Sequence, residues 1–211
     1  MNEIYRDIRP KNLRIAGFLN RSKVNGPGTR FVIWTQGCPI HCEGCFNPDL
    51  WEYNGGEIMS VGQLFDKIVS TAGIDGVTFS GGEPFTQAGG LAELGSLVHS
   101  HNLTVVTFTG FTYDILRAKG RASWNRLLAE TDLLISGPYI AGLPLKYSHA
   151  GLCKKDIRLL TARINMEPLR AGRDAQTTEY IINRNGSLFM TGFPDQSLKA
   201  GFSGLGSNKG G

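Results

Sequence analysis

The sequence predicts an α/β protein: a partial, open parallel β/α barrel followed by a C-terminal β-hairpin. Short apolar segments that look like buried strands alternate with segments whose apolar residues recur at helical spacing, the pattern of βα units. About five such strands can be counted, too few for a complete eight-stranded barrel of roughly 250 residues. From Thr177 the pattern changes to two alternating strands around Asn185 and Gly186, and Asn-Gly between alternating runs is the strongest short-range hairpin signal.

The elements follow in order. Residues 13–20 alternate apolar and polar side chains and read as a strand. After the NGPG turn at 25–28, Arg30–Thr35 (RFVIWT) is a second strand that delivers the chain to a cysteine-rich loop. Val61, Leu64, Phe65, Ile68 and Val69 mark a helix, and Ser60 with Gln63 forms a capping box at its start. A short strand at 76–80 precedes a helix carrying Leu91, Leu94, Leu97 and Val98, then a strand at 103–109. Helices over Tyr113–Lys119 and 124–130 lead to a strand at Leu133–Ser136 and a last short one at 156–160. The expected organisation is a core domain over 1–170, a hairpin extension over 171–194 and a Gly/Ser-rich flexible tail over 195–211.

At 211 residues the chain is long enough to bury a real core. No apolar run approaches the roughly 20 residues of a membrane span, and the first residues, MNEIYRDIRPKNLRI, lack a signal peptide's apolar core. The expected location is the cytoplasm, where thiols stay reduced and clustered cysteines more often bind metal than pair. The net charge of +4 is mild and its basic residues are scattered. Neither a nucleic-acid patch nor a membrane partner is expected.

Three of the four cysteines, Cys38, Cys42 and Cys45, stand in a C-x3-C-x2-C spacing. Zinc is one reading, with His41 or the distant Cys153 as fourth ligand. Zinc sites pair their ligands in two short units, however, and the second unit is missing here. A disulfide suits a reducing compartment poorly, and Phe46 after Cys45 rules out the C-x-x-C-H haem attachment pattern. An iron–sulfur cluster normally takes four thiolates. With three, one iron of a four-iron cluster keeps an open position for a small-molecule ligand, as a three-ligand catalytic zinc does.

A second feature, FSGGEP at 79–84, lies between a strand and a helix. Gly81 and Gly82 permit close backbone approach, and Glu83 puts a carboxylate at the C-terminal end of a strand, where α/β folds bind ligands. Taken alone, these residues would also suit a tight turn with a solvated Glu.

Together, the two motifs resemble the radical S-adenosylmethionine (SAM) superfamily. The resemblance implies a 4Fe-4S cluster on Cys38, Cys42 and Cys45, with SAM on the open iron. It implies that Gly81, Gly82 and Glu83 recognise the methionyl amino group, and that Gly44, Cys45 and Phe46 lie against SAM, with Thr109 as a further candidate. Many members have an aromatic residue just before the third cysteine, whereas this chain has Gly44 there and Phe46 after.

Within the superfamily, NGPGTRFVIWTQGC before the cysteines and FNPDLWE after them resemble the activating enzymes of glycyl radical enzymes, above all the activator of anaerobic ribonucleotide reductase. VVTFTGF and DLLISGPYI are similar to that family's later strands. The implied activity is reductive cleavage of SAM to methionine and a 5′-deoxyadenosyl radical, which takes a hydrogen from a glycine Cα of the partner enzyme. A one-electron donor such as flavodoxin or ferredoxin is implied, and no general acid or base.

Arg30, Asn47 and Trp51 are candidate contacts to the partner, although Arg30 also reads as an exposed turn residue. With only Cys153 left over, the chain has no second ordinary cluster. Cys153 reads as a small unreactive thiol, and His99 and His101 as solvated or capping residues. Two rival readings remain at this stage: a radical SAM enzyme acting on a peptide or small heterocycle, and a non-catalytic iron–sulfur or zinc module.

Overall fold

A computed structural model describes residues 12–140, 155–165, 178–182, 186 and 188–192. The elements are β1 (Asn12–Ser22), β2 (Arg30–Thr35), β3 (Glu57–Ser60), α1 (Val61–Val69), β4 (Gly76–Gly81), α2 (Ala88–Ser100), β5 (Thr104–Thr109), α3 (Tyr113–Lys119), α4 (Ala122–Ala129), β6 (Leu133–Ser136) and β7 (Asp156–Leu159), then β8 (Thr178–Ile182) and β9 (Leu188–Gly192). The first seven strands form one mixed sheet in the order β3-β1-β2-β4-β5-β6-β7. Its four central strands, β2, β4, β5 and β6, are parallel, because a helix crosses back between each pair. The flanking pairs β1–β2, β1–β3 and β6–β7 are antiparallel. About five parallel strands were expected, and four are found among the described residues. β3 has only four residues, too few to show a period, and was not foreseen.

Alternation along the strands divides the side chains between two faces. Phe31, Ile33, Val77, Phe79, Val105 and Leu134 pack with Leu64, Ile68, Leu91, Leu94, Val98 and Leu127 from the helices, all wholly buried. Each such side chain contributes roughly 1.5–3 kcal/mol. On the other face Val106, Phe108, Leu133 and Ile135 close around Ile164. The capping box at α1 is present, with Ser60 N–H donating to Gln63 Oε1 at 2.8 Å and Gln63 N–H to Ser60 Oγ at 3.1 Å. Ser60→Ala is expected to lower stability by about 1 kcal/mol in urea unfolding.

Two polar residues sit where the sequence did not suggest. Arg30 is 1% exposed, on the opposite face of β2 from Phe31. Its guanidinium donates to Val77 O (2.6 Å), Thr104 O (2.7 Å), Thr104 Oγ1 (2.7 Å) and, at 3.4 Å, Thr78 Oγ1. Burial lowers its pKa to about 9, against the charges of Asp75 and Asp132. The expectation of an exposed Arg30, or of its contact with a partner, is therefore corrected: strand alternation turns it inward. His99, expected to be solvated or capping, bridges Glu130 and the fully buried Asp132, at 3.0 and 2.9 Å.

The hairpin docks on the far end of β1. Glu179 accepts from Ser22 Oγ (2.6 Å) and Lys23 N–H (2.8 Å), Asn25 Nδ2 donates to Thr191 Oγ1 (2.9 Å), and Phe189 lies edge-on to Trp34. Gly186 has a φ of +80°, as the turn requires. Asn185, Cys153 and the predicted tail lie outside the described residues. Among the described residues no helix is long and apolar enough to cross a membrane.

Candidate functional site

The C-terminal ends of the four parallel strands share one edge, the usual ligand edge of α/β sheets. From it emerge the cysteine loop after β2, the Gly81–Glu83 turn after β4, Gly110 after β5 and Gly137 after β6. The first two are joined directly: Gly82 N–H donates to Thr35 O at 2.8 Å and Glu83 N–H to Gly37 O at 2.9 Å. Gly81 has a φ of +104°, and a Cβ on it would lie 2.4 Å from Thr35 N. A Cβ on Gly82 would lie 2.3 Å from Gly37 O. These glycines are thus demanded by the seam between the two motifs.

The cysteine loop is held at its base. Gly37 and Cys38 N–H donate to Leu50 O (2.9 Å) and Trp51 O (3.0 Å), and Gln36 Nε2 donates to Glu52 O (2.7 Å). His41, with a φ of +49°, stacks on the Trp51 ring at 4.7 Å. Cys45 N–H donates to Cys42 O at 3.1 Å, closing a turn in which Gly44 has a φ of +70°. Asn47 N–H donates to Cys45 Sγ at 3.4 Å. All three thiols are free, Cys38 buried and Cys42 and Cys45 half-buried. Burial pushes the Cys38 thiol above its ordinary pKa, the charges of Glu83 and Cys42 add to this, and hydrogen bonds from Ile40 and His41 N–H oppose it.

Glu83 is wholly buried, which excludes the solvated-turn reading. Its Oε1 accepts from Thr109 Oγ1 (2.8 Å) and Phe85 N–H (3.0 Å), and its Oε2 from Gly110 N–H (2.8 Å). Burial raises its pKa, while these donors and the charge of Lys155 lower it. Thr109 thus reaches the site through Glu83. Ile40 of the cysteine loop lies over Gly110, where a Cβ would come within 2.5 Å of its Cδ1. Phe46 packs edge-on against Tyr139, which follows β6, with ring centres 4.9 Å apart. Asn47 is exposed, Trp51 half-buried.

Lys155 was not foreseen. Its ammonium donates to Gly137 O (2.7 Å) and Thr109 O (3.3 Å). Burial lowers its pKa to about 8, opposed by the charges of Glu83, Cys42 and Cys45. The antiparallel register that pairs Ser136 with Asp156 brings the preceding residue to the ligand edge. No local motif marks it.

With this geometry in view, residues 24–151 match the family described as a 4Fe-4S single cluster domain. The chain belongs to that family. It is also similar to pyruvate formate-lyase-activating enzymes. It is 35% identical to that of Listeria monocytogenes over 130 residues, 58% of this chain and 51% of that protein. It is 31% identical to that of Clostridium pasteurianum over 129 residues, 58% of this chain and 50% of that protein. With the pyruvate formate-lyase 1-activating enzyme of Escherichia coli, identity is 40% over 80 residues, 36% of this chain and 32% of that protein. The chain spans about half the length of the first two.

The residues fit the 4Fe-4S group of this family. Among the described residues, no three His, Cys, Asp or Glu side chains converge tightly enough to enclose a single metal ion. In a cluster each thiolate binds its own iron, so the three thiols need not converge on one point. Among the described residues, Trp51 Nε1–H on this loop is a buried donor without a partner, and cluster sulfides accept hydrogen bonds. Metal ligation takes the thiolate form, so loading a protonated thiol releases its proton.

Proposed function

We propose that the chain is a radical SAM activating enzyme, which cleaves SAM reductively and leaves a glycyl radical on a partner enzyme. The observation that carries this reading is the hydrogen-bonded seam between the cysteine loop and the Gly-Gly-Glu turn at the ends of parallel strands. The parallel strands and their helices are taken as the open part of a β/α barrel. When bound, the cluster would supply the single electron for reductive cleavage of SAM, the chemistry from which the glycyl radical of the partner would come.

The chain's own residues do the holding. Cys38, Cys42 and Cys45 carry the cluster, the first fixed through Trp51 O. Glu83, aimed by Thr109, Gly110 and Phe85, offers a buried carboxylate to an ammonium, an interaction worth more away from water. Gly44, Phe46, Gly81 and Gly82 are proposed to bound SAM, with the rim of the site formed by Phe46 on Tyr139 and by Ile40 over Gly110. Exclusion of water protects a reactive radical. Asn47 and Trp51, on the same loop, are the proposed contacts to the partner. A flavodoxin or ferredoxin is the proposed electron donor, and the cytoplasm the proposed location.

The partner is a glycyl radical enzyme. The sequence resemblance favours anaerobic ribonucleotide reductase, and the names of the relatives favour pyruvate formate-lyase. Anaerobic reconstitution with iron and sulfide is expected to give a brown protein that releases 5′-deoxyadenosine from SAM and reductant. Incubation with each candidate partner is expected to yield a glycyl radical signal by electron paramagnetic resonance with one of them. A protein that takes up no iron, or holds a cluster that SAM does not perturb, would sink this reading. SAM cleavage without a radical on either partner would shift it to a peptide or heterocycle substrate.

A further inference from the structure

Lys155 is a half-buried cation with an unusual set of neighbours. Its two hydrogen bonds go to carbonyls at the ends of β5 and β6, Thr109 O and Gly137 O. A neutral donor would serve those carbonyls without the cost of burying a charge. Among the described residues no carboxylate lies within ion-pair distance of the ammonium. The ammonium sits at the end of β6, where Tyr139, two residues after Gly137, packs on Phe46 beside Cys45, and the negative groups whose charges act on it are Glu83, Cys42 and Cys45. Glu83, the first of these, is assigned to the SAM ammonium in the reading above, which leaves the two thiolates as the negative groups for Lys155 to serve.

We propose that Lys155 sets the redox poise of the cluster carried by Cys42 and Cys45: its fixed positive charge stabilises the reduced form. Reduction adds one electron from the donor and makes the cluster one unit more negative. A neighbouring cation in a low-dielectric site favours that state over the oxidised one. Lys155 touches neither SAM nor the reacting atoms in this scheme and is a positioning residue for charge. The inference rests on the cluster reading above.

The test is a dithionite titration of the reconstituted proteins, followed by electron paramagnetic resonance without SAM or partner. Wild type, Lys155→Arg and Lys155→Met are compared at equal iron content. Lys155→Arg is expected to keep the wild-type midpoint, and Lys155→Met to move it to a more negative potential. At the poise that half-reduces wild type, the ratio of reduced to oxidised cluster in Lys155→Met should fall about tenfold. An unchanged midpoint in Lys155→Met overturns the proposal while leaving the cluster reading intact. A wild-type protein that takes up no iron overturns the cluster reading itself. Thermal unfolding of the iron-free proteins is measured alongside. A Lys155→Met protein that fails to fold or to load iron makes the ammonium a clamp on Thr109 and Gly137, and also overturns the proposal.

Discussion

Cys38→Ala is expected to give a folded protein that holds almost no iron and releases no 5′-deoxyadenosine. The fold should survive because the loop base is held by backbone: Cys38 N–H to Trp51 O and Gly37 N–H to Leu50 O do not involve the thiol. Losing one buried sulfur costs about 1 kcal/mol, small beside the stability of a domain this size. The cluster, in contrast, would lose one of its three proposed protein ligands. Cys153→Ala is the matched control and is expected to keep both iron and cleavage. Iron analysis and product chromatography on the two variants check the pair. Iron retained by Cys38→Ala, or lost by Cys153→Ala, would mean that the wrong thiols have been assigned.

Arg30→Met should do the opposite, damaging the fold before the chemistry. The substitution keeps an apolar stem of similar length but removes the donors that satisfy Val77 O, Thr104 O and Thr104 Oγ1 beneath the sheet. Buried acceptors left without partners cost about 1–3 kcal/mol each, and relief of the guanidinium's own burial offsets part of this. The expected net loss is about 3 kcal/mol, or roughly 10 °C in Tm for a chain of this size. Arg30→Lys should recover only part of it, since an ammonium lacks the planar fork that reaches two strands at once. Whatever remains folded should still activate its partner normally. An unchanged Tm with lost activation would restore Arg30 to the partner-facing surface.

The two motifs were legible because their chemistry is carried by near neighbours in sequence. Cys38, Cys42 and Cys45 point to a metal loop by their spacing once paired with the Gly-Gly-Glu turn, and Glu83 follows a strand whose five-residue signal is plain. β2 and β6 were bounded correctly because each is a short run of mainly apolar residues, stopped by a polar or glycine turn. Strand direction was less legible: β1 and β7 look like any other half-apolar strand until their partners are known. Burial of charge was illegible as well. The glycine turn before Arg30 suggested solvent, whereas alternation from Phe31 onward had already committed it to the inner face. Lys155, Tyr139 and Ile40 reach the site through register and packing, which no local pattern records.

The docking of the hairpin also has a consequence for the order of events in folding. Ser22 and Glu179 are 157 positions apart, and Asn25 and Thr191 are 166 apart. Joining such distant residues carries a loop-closure cost that grows with the logarithm of separation, and contacts of this kind slow folding. The sheet, whose neighbours are mostly joined by single crossovers, can assemble first. The hairpin then attaches to an already formed surface. On the ribosome, where the amino end emerges early, Ser22, Lys23 and Asn25 must wait for nearly the whole chain before Glu179 and Thr191 arrive. Until then Trp34 lacks the edge-on cover of Phe189.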